Sequence, residues 1–228
     1  MSNTTTLAQL RTRARERSDQ ENSTFVSPTE LLSYINASYQ ELYDILVGKY
    51  EDYYTTKTTS VIASGDSTIT LPTDFYKLRG IDFKLDTNTW VAVGKFNFIE
   101  RNVLNRSIVR RGAGFRETQY RVIGGEVQIE PEDSADGTYR IWYTPLPTLL
   151  SAETDTIDGI QGWEEYVIID VAIKMMAKEE SSTTHLEREK AAMLTRIESM
   201  AANRDSGQPE TISDTTNTFY DSDALYTR

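Results

Sequence analysis

WEEYVIIDVAIKMMAKEE, residues 163–180, decides the fold class, because as a helix it is apolar around most of its circumference. At about 100° per residue, Val171, Met175, Ile168, Ala172, Met176, Ile169, Ile173, Tyr166 and Ala177 sweep through roughly 240°, against about 100° for an ordinary surface helix. Asp170, Lys174 and Lys178 recur at i, i+4, i+8 and leave only a narrow polar stripe. Such a helix packs on more than one side: against its own fold and, on the extra face, against a neighbouring subunit. Ile173 and Met176 are the candidate subunit contacts.

Downstream, Ser181-Ser182-Thr183-Thr184 interrupts the helix, and Thr184 with Glu187 forms a capping box. Leu186, Met193, Leu194, Ile197, Met200 and Ala201 then keep one apolar face to about Asn203. Far upstream, Ser27-Pro28-Thr29-Glu30 predicts another start, with Ser27 as N-cap, Pro28 at the first helical position and Glu30 reaching back. That helix runs to about Tyr54, with Leu31, Leu32, Ile35, Tyr39, Leu42, Ile45 and Leu46 as its core face. Tyr34, Tyr43, Tyr50, Tyr53 and Tyr54 crowd its other faces and end, either rimming the core or meeting a partner. Tyr43 and Tyr50 are the candidate subunit contacts among them. A short helix from Thr6 to Arg17 carries Arg11, Arg13, Arg15 and Arg17: a solvated charged face, or a contact for an acidic partner or DNA.

Between the helices the pattern alternates. Thr55–Ala63 and Thr68–Leu71 flank the turn Ser64-Gly65-Asp66-Ser67 and read as a hairpin. Lys77–Leu85 and Thr89–Val93 give two more strands, and Lys95–Asn105 a helix with Phe96, Ile99, Val103 and Leu104 on its apolar side. The loop 106–116 carries Arg106, Arg110, Arg111 and Arg116 and is a candidate for tail-side or lumen contact, with a solvated loop as the alternative. Tyr120–Ile129 is the clearest hairpin, alternating about Gly124-Gly125, and Tyr139–Tyr143 adds a third strand. Helices at both ends and strands between predict an α+β fold: an antiparallel helical bundle with an inserted small antiparallel β lobe. The predicted division is 1–54 for the N-terminal helices, 55–150 for the β lobe, 151–204 for the C-terminal helices and 205–228 for an extended tail. That tail has no period, but it spaces Ile212, Phe219, Tyr220, Leu225 and Tyr226 as apolar anchors.

The chain of 228 residues can bury a real core, and its net charge of −11 argues against a protein whose main task is gripping phosphates. An acidic wall suits a path along which DNA slides. With no cysteine and a single histidine, His185, thiolate chemistry and cysteine- or histidine-cluster metal sites are excluded. Gly112-Ala113-Gly114 lacks the rest of a phosphate-cradling motif. Paired carboxylates, Glu164 with Glu165 or Asp133 with Asp136, remain the sole enzyme route, that of a cell-wall glycan hydrolase. Glu164 and Glu165 also suit the positive first turn of a helix. No enzyme activity, cofactor or metal is expected. No segment reaches the roughly 18 apolar residues of a membrane span, so no membrane partner is expected.

FVSPTELLSYINASYQELYDIL from Phe25, LPTDFYKLRGIDF from Leu71, YRVIGGEVQIEP from Tyr120 and GWEEYVIIDVAIKMMAKEES from Gly162 together resemble the head-to-tail adaptor (connector) proteins of short-tailed bacteriophages. The resemblance implies a structural virion protein, assembled in the host cytoplasm into a ring, twelve copies in that family, beneath the portal protein at one capsid vertex. It implies a homo-oligomer that extends the channel for double-stranded DNA, without sequence-specific binding, and offers a platform to the tail nozzle protein. It also implies that the C-terminal extension docks on the portal, through Ile212, Phe219, Tyr220, Leu225 and Tyr226. A different virion ring, a stopper or nozzle component, is the neighbouring alternative.

Overall fold

The computed structural model describes residues 5–100, 118–132, 135–157 and 162–201, and shows an α+β protein with four α-helices and three sheets. Helix α1 (Leu7–Arg17) is capped by Thr6, whose hydroxyl accepts from the Gln9 amide while the Gln9 side chain accepts from the Thr6 amide. Helix α2 (Pro28–Lys49) starts as the sequence predicts, the Ser27 hydroxyl accepting from the Glu30 amide at 3.2 Å. The Glu30 carboxylate does not close the box. It takes hydrogen bonds from Tyr34 and from Lys178. Helix α2 also ends earlier than predicted, because Tyr50 turns extended (φ −148°, ψ 80°) and a separate 3-10 turn, Glu51–Tyr54, follows.

Helix α3 (Glu164–Lys178) is the apolar one, and it packs on α1, on α2 and on α4 (Thr184–Ala201). Tyr166, Val167, Ile168, Val171 and Met175 share one core with Leu7, Leu10 and Ala14 of α1 and Leu31, Ile35 and Leu42 of α2. On the opposite side Ile169 and Ala172 meet Leu186 of α4, with Ile173 and Met176 half-buried beside them. Three neighbours in the same chain therefore cover most of the apolar arc that was expected to need a second subunit. Each fully buried Leu or Ile contributes about 1.5–3 kcal/mol, so this core is where the helical half is held. Helix α4 begins at the predicted cap itself, one residue earlier than expected: Thr183, not Thr184, precedes the first turn and donates its hydroxyl to the Glu187 carboxylate at 2.7 Å. Met200, expected on the apolar face, is exposed.

The strands form two four-stranded sheets around one shared core. The first has the order β2 (Thr56–Ile62), β9 (Gly137–Pro145), β4 (Phe75–Lys84), β5 (Trp90–Ala92). The second has the order β3 (Thr68–Thr70), β8 (Glu126–Glu130), β7 (Gln119–Ile123), β6 (Gly94–Lys95). The β7–β8 hairpin about Gly124-Gly125 forms as predicted, with Gly124 at φ 64°. The predicted hairpin between β2 and β3 does not form. Each lies in a different sheet, β2 pairing with β9 over seven residues, and the turn at Gly65 carries the chain across the core so that Ile62 and Ile69 enter it from opposite sides. Over residues 95–100 the helix expected from Lys95 to Asn105 gives way to β6, the one parallel pair in this otherwise antiparallel region among the described residues, and to a 3-10 turn at Phe98–Glu100; residues 101–105 lie outside the described residues. Phe96 is buried and donates its amide to the Tyr120 carbonyl, a strand contact, and Ile99 faces solvent, while Val103 and Leu104 of the expected apolar side lie outside the described residues. A two-stranded pair, β1 (Thr5–Thr6) with β10 (Thr156–Ile157), ties the start of the chain to the segment returning from the sheets.

Candidate interaction surfaces

The four arginines of α1 are paired within the chain and are not a free patch, although Arg17 stays exposed and Arg13 partly so. Arg11 pairs with Glu153, Arg17 with Glu189, and Arg13 bonds Glu165 at 2.6 Å with Glu164 at 3.7 Å. Arg15 donates to the carbonyls of Gln20, Ser23 and Val26 and so fixes the loop between α1 and α2. Glu164, which also accepts from the Gly162 amide, and Glu165 are thus compensated structural acids at the start of α3. Of the other pair, Asp136 is exposed and Asp133 lies outside the described residues. His185 is exposed on the first turn of α4.

The polar stripe of α3 points inward at Asp170, while Lys174 is half-buried and Lys178 exposed. Asp170 is buried, and its carboxylate accepts from Ser38 at 2.6 Å, Lys174 at 2.6 Å and Lys190 at 2.8 Å. Lys190 also bonds Glu41, which accepts from the Tyr166 hydroxyl at 2.6 Å. Burial alone pushes the Asp170 pKa up, but the bonds from Lys174, Lys190 and Ser38 outweigh it and hold the carboxyl below its ordinary value. The network joins α2, α3 and α4 through one acid.

Tyr43 corrects the expectation of a subunit contact. It is buried, donates its hydroxyl to the Pro145 carbonyl at 2.6 Å and packs edge-on against Tyr54 and Tyr76, with ring centroids 5.1 and 6.5 Å away. Burial raises its pKa. Its role is to join α2 to the end of β9. Tyr50, Ile173 and Met176 are half-buried and keep surface to offer. The remaining candidates, Arg106, Arg110, Arg111 and Arg116 in the loop and Ile212, Phe219, Tyr220, Leu225 and Tyr226 in the tail, lie outside the described residues.

The most distinctive surface is one the sequence reading missed. On the outer face of the first sheet Arg140 lies over Trp90, 3.8 Å from its ring centroid, and 5.8 Å from that of Trp142. Lys57 covers Trp142 at 5.3 Å, Lys84 covers Trp90 at 5.9 Å, and the Trp142 indole donates to Asp82 at 2.7 Å. These residues come from β2, β9, β4 and β5, and only the registers Lys57↔Trp142, Asp82↔Arg140 and Lys84↔Trp90 bring them together. The available signal was weak: strand alternation puts Arg140 and Trp142 on one face, opposite Tyr139, Ile141 and Tyr143.

With this geometry in place, the family comparison is decisive: the model of the SU10 adaptor protein family matches residues 5–214. The chain belongs to that family. No curated protein matches it. The SU10 adaptor match runs through all four helices and both large sheets, so helical core and sheets together constitute the family unit. Ile212 falls within the matched residues, whereas Phe219, Tyr220, Leu225 and Tyr226 lie beyond them. The family is one of phage adaptors, structural components of the virion that contact other head and tail proteins.

Proposed function

We propose that this protein is the head-to-tail adaptor of a short-tailed phage, forming a ring beneath the portal that extends the DNA channel and seats the tail nozzle. The family match over residues 5–214 carries the reading. Twelve copies is the expected stoichiometry by resemblance. The ring contacts fall on the surface beside α3 and α4, where Ile173 and Met176 remain half-buried, and on Tyr50 at the end of α2. The helices act as the bundle that packs in the ring, the sheets of residues 55–150 as an inserted lobe, and residues 205–228 as the portal-docking tail. The net charge of −11 supports a channel wall that does not trap DNA. The hydrolase alternative loses its support in Glu164 and Glu165, since both face Arg13.

Purified chain mixed with its portal and weighed by native mass spectrometry tests the reading. A portal-bound ring of adaptor copies is expected; no ring at saturating portal overturns it. Deleting residues 205–228 abolishes attachment if the tail is the docking element, and attachment that survives the deletion removes that role.

A further inference from the structure

Several cations of this acidic chain have no carboxylate partner among the described residues, Lys57, Lys84 and Arg140 among them. All three sit on the outer face of the first sheet, stacked on Trp90 and Trp142. Each tryptophan ring there holds a cation at its face, with Lys57 exposed and Lys84 and Arg140 half-buried. Asp82 is the sole acid of this face in the strand registers, and it is engaged by the Trp142 indole. At the edge of the face Val61 is 71% exposed. Beside Trp142, opposite Gly80, opens a pocket of about 380 Å³ lined also by Asp52, Thr55 and Arg79. Cationic, tryptophan-bearing and partly apolar, the surface suits a polypeptide that carries carboxylates and aromatic rings together.

The chain itself contains such a polypeptide. Residues 205–228 hold five acids (Asp205, Glu210, Asp214, Asp221, Asp223) against one base, Arg228, with Phe219, Tyr220 and Tyr226 between and beside them. From Ala201, where α4 ends, 27 residues remain (228 minus 201). Extended, they reach about 90 Å, well beyond the roughly 45 Å breadth of a globular chain of this length. Duplex DNA meets the same cations but, with its bases stacked inside, gains little from Trp90, Trp142 and Val61, and is repelled by the net charge of −11. We propose that the outer face built on Lys57, Lys84, Trp90, Arg140 and Trp142 binds the chain's own C-terminal segment, residues 205–228, while the chain is free of partners. Portal docking, in the function proposed above, then draws the segment off this face. The inference stands without that reading.

Zero-length carbodiimide cross-linking of the full-length chain, mapped by peptide mass spectrometry, tests it. The expected products join Lys57 or Lys84 to Asp214, Asp221 or Asp223. They should be lost in Arg140→Glu, in the paired tail variant Phe219→Ala with Tyr220→Ala, which keeps every carboxylate, and in 1 M salt, where the screening length falls to about 3 Å. The tail variant lies outside the sheets and core, so it tests the contact even if Arg140→Glu fails to fold. Products that avoid residues 205–228, or that persist unchanged in the tail variant, overturn the proposal. So does a short DNA duplex that protects both lysines from modification while the tail variant does not expose them. Adding portal separates the two readings: cross-links present in the free chain and retained on the portal leave this proposal standing and remove portal docking by the tail.

Discussion

Asp170 shows how one residue decides whether three helices stay together. Removing its carboxylate by Asp170→Ala leaves two ammonium groups, Lys174 and Lys190, facing each other beside Ser38 without their shared acceptor. Breaking a fully buried ion pair costs about 3–5 kcal/mol; these lysines are 31% and 24% exposed, so solvent screening trims the expected loss to about 2–3 kcal/mol, readable by urea denaturation. Because the folded pKa is depressed, this stabilisation is fully present above the ordinary carboxyl value of 3.8 and is lost as pH falls through the lower folded value. Stability should therefore drop below about pH 4, and Asp170→Asn should make that acid limb shallower. A second residue, Gly137, opens β9 at φ 143°, and a Cβ there would lie 2.5 Å from Phe83 Cε2. Gly137→Ala combines a disfavoured backbone with a clash inside the sheet core, so a loss of about 2–4 kcal/mol is expected in the same measurement.

At the scale of elements, α3 is the lesson in what a sequence discloses. Its apolar arc was legible from Val167 to Met175, and so was the existence of α1, α2 and α4, because amphipathic spacing and the Ser27-Pro28 start are local signals. The partner of that arc was not legible: the helix with Leu186 that covers Ile169 and Ala172 is a tertiary neighbour, and a wheel cannot tell it from a second subunit. The same limit explains β2 and β3. A turn at Gly65 between two apolar runs is all a hairpin shows in sequence, and the seven-residue ladder that β9 offers to β2 lies some eighty residues away. The Trp90, Arg140, Trp142 stack was illegible for this reason as well, since its members meet only through cross-strand register. Met176 carries the prediction at this scale. It is half-buried beside Leu186, so Met176→Asp should cost about 1–2 kcal/mol in the isolated chain, read by thermal unfolding, while eliminating ring formation on the portal.

Over the whole molecule, charge sets the terms of assembly. Copies of a chain at −11 repel one another, so association in free solution should strengthen as salt rises from 0.05 to about 0.5 M and the screening length shrinks below about 10 Å. Sedimentation velocity across that range checks it, and an association that weakens with salt would mean attractive charge contacts between copies outweigh the net repulsion. A template that fixes neighbours at short range supplies the same help without salt, which fits assembly on a portal ring.

The pairing of Thr56 with Tyr143 places the point where the chain leaves the helices beside the point where it comes back, and Asn36 clasps the return by bonding both the amide and the carbonyl of Leu150. Beyond that paired arrival, the helical half meets the region between through Tyr76 on Tyr43 and through Lys77 and Arg79 on Glu51 and Asp52. A short designed hairpin grafted in place of residues 59–140, keeping the Thr56–Thr58 and Ile141–Tyr143 ladder, should leave the helices folded with unchanged helical circular dichroism per helical residue. The sheets are in that sense an interchangeable fitting, free to be reshaped for whatever partner they meet while the socket that receives them stays the same.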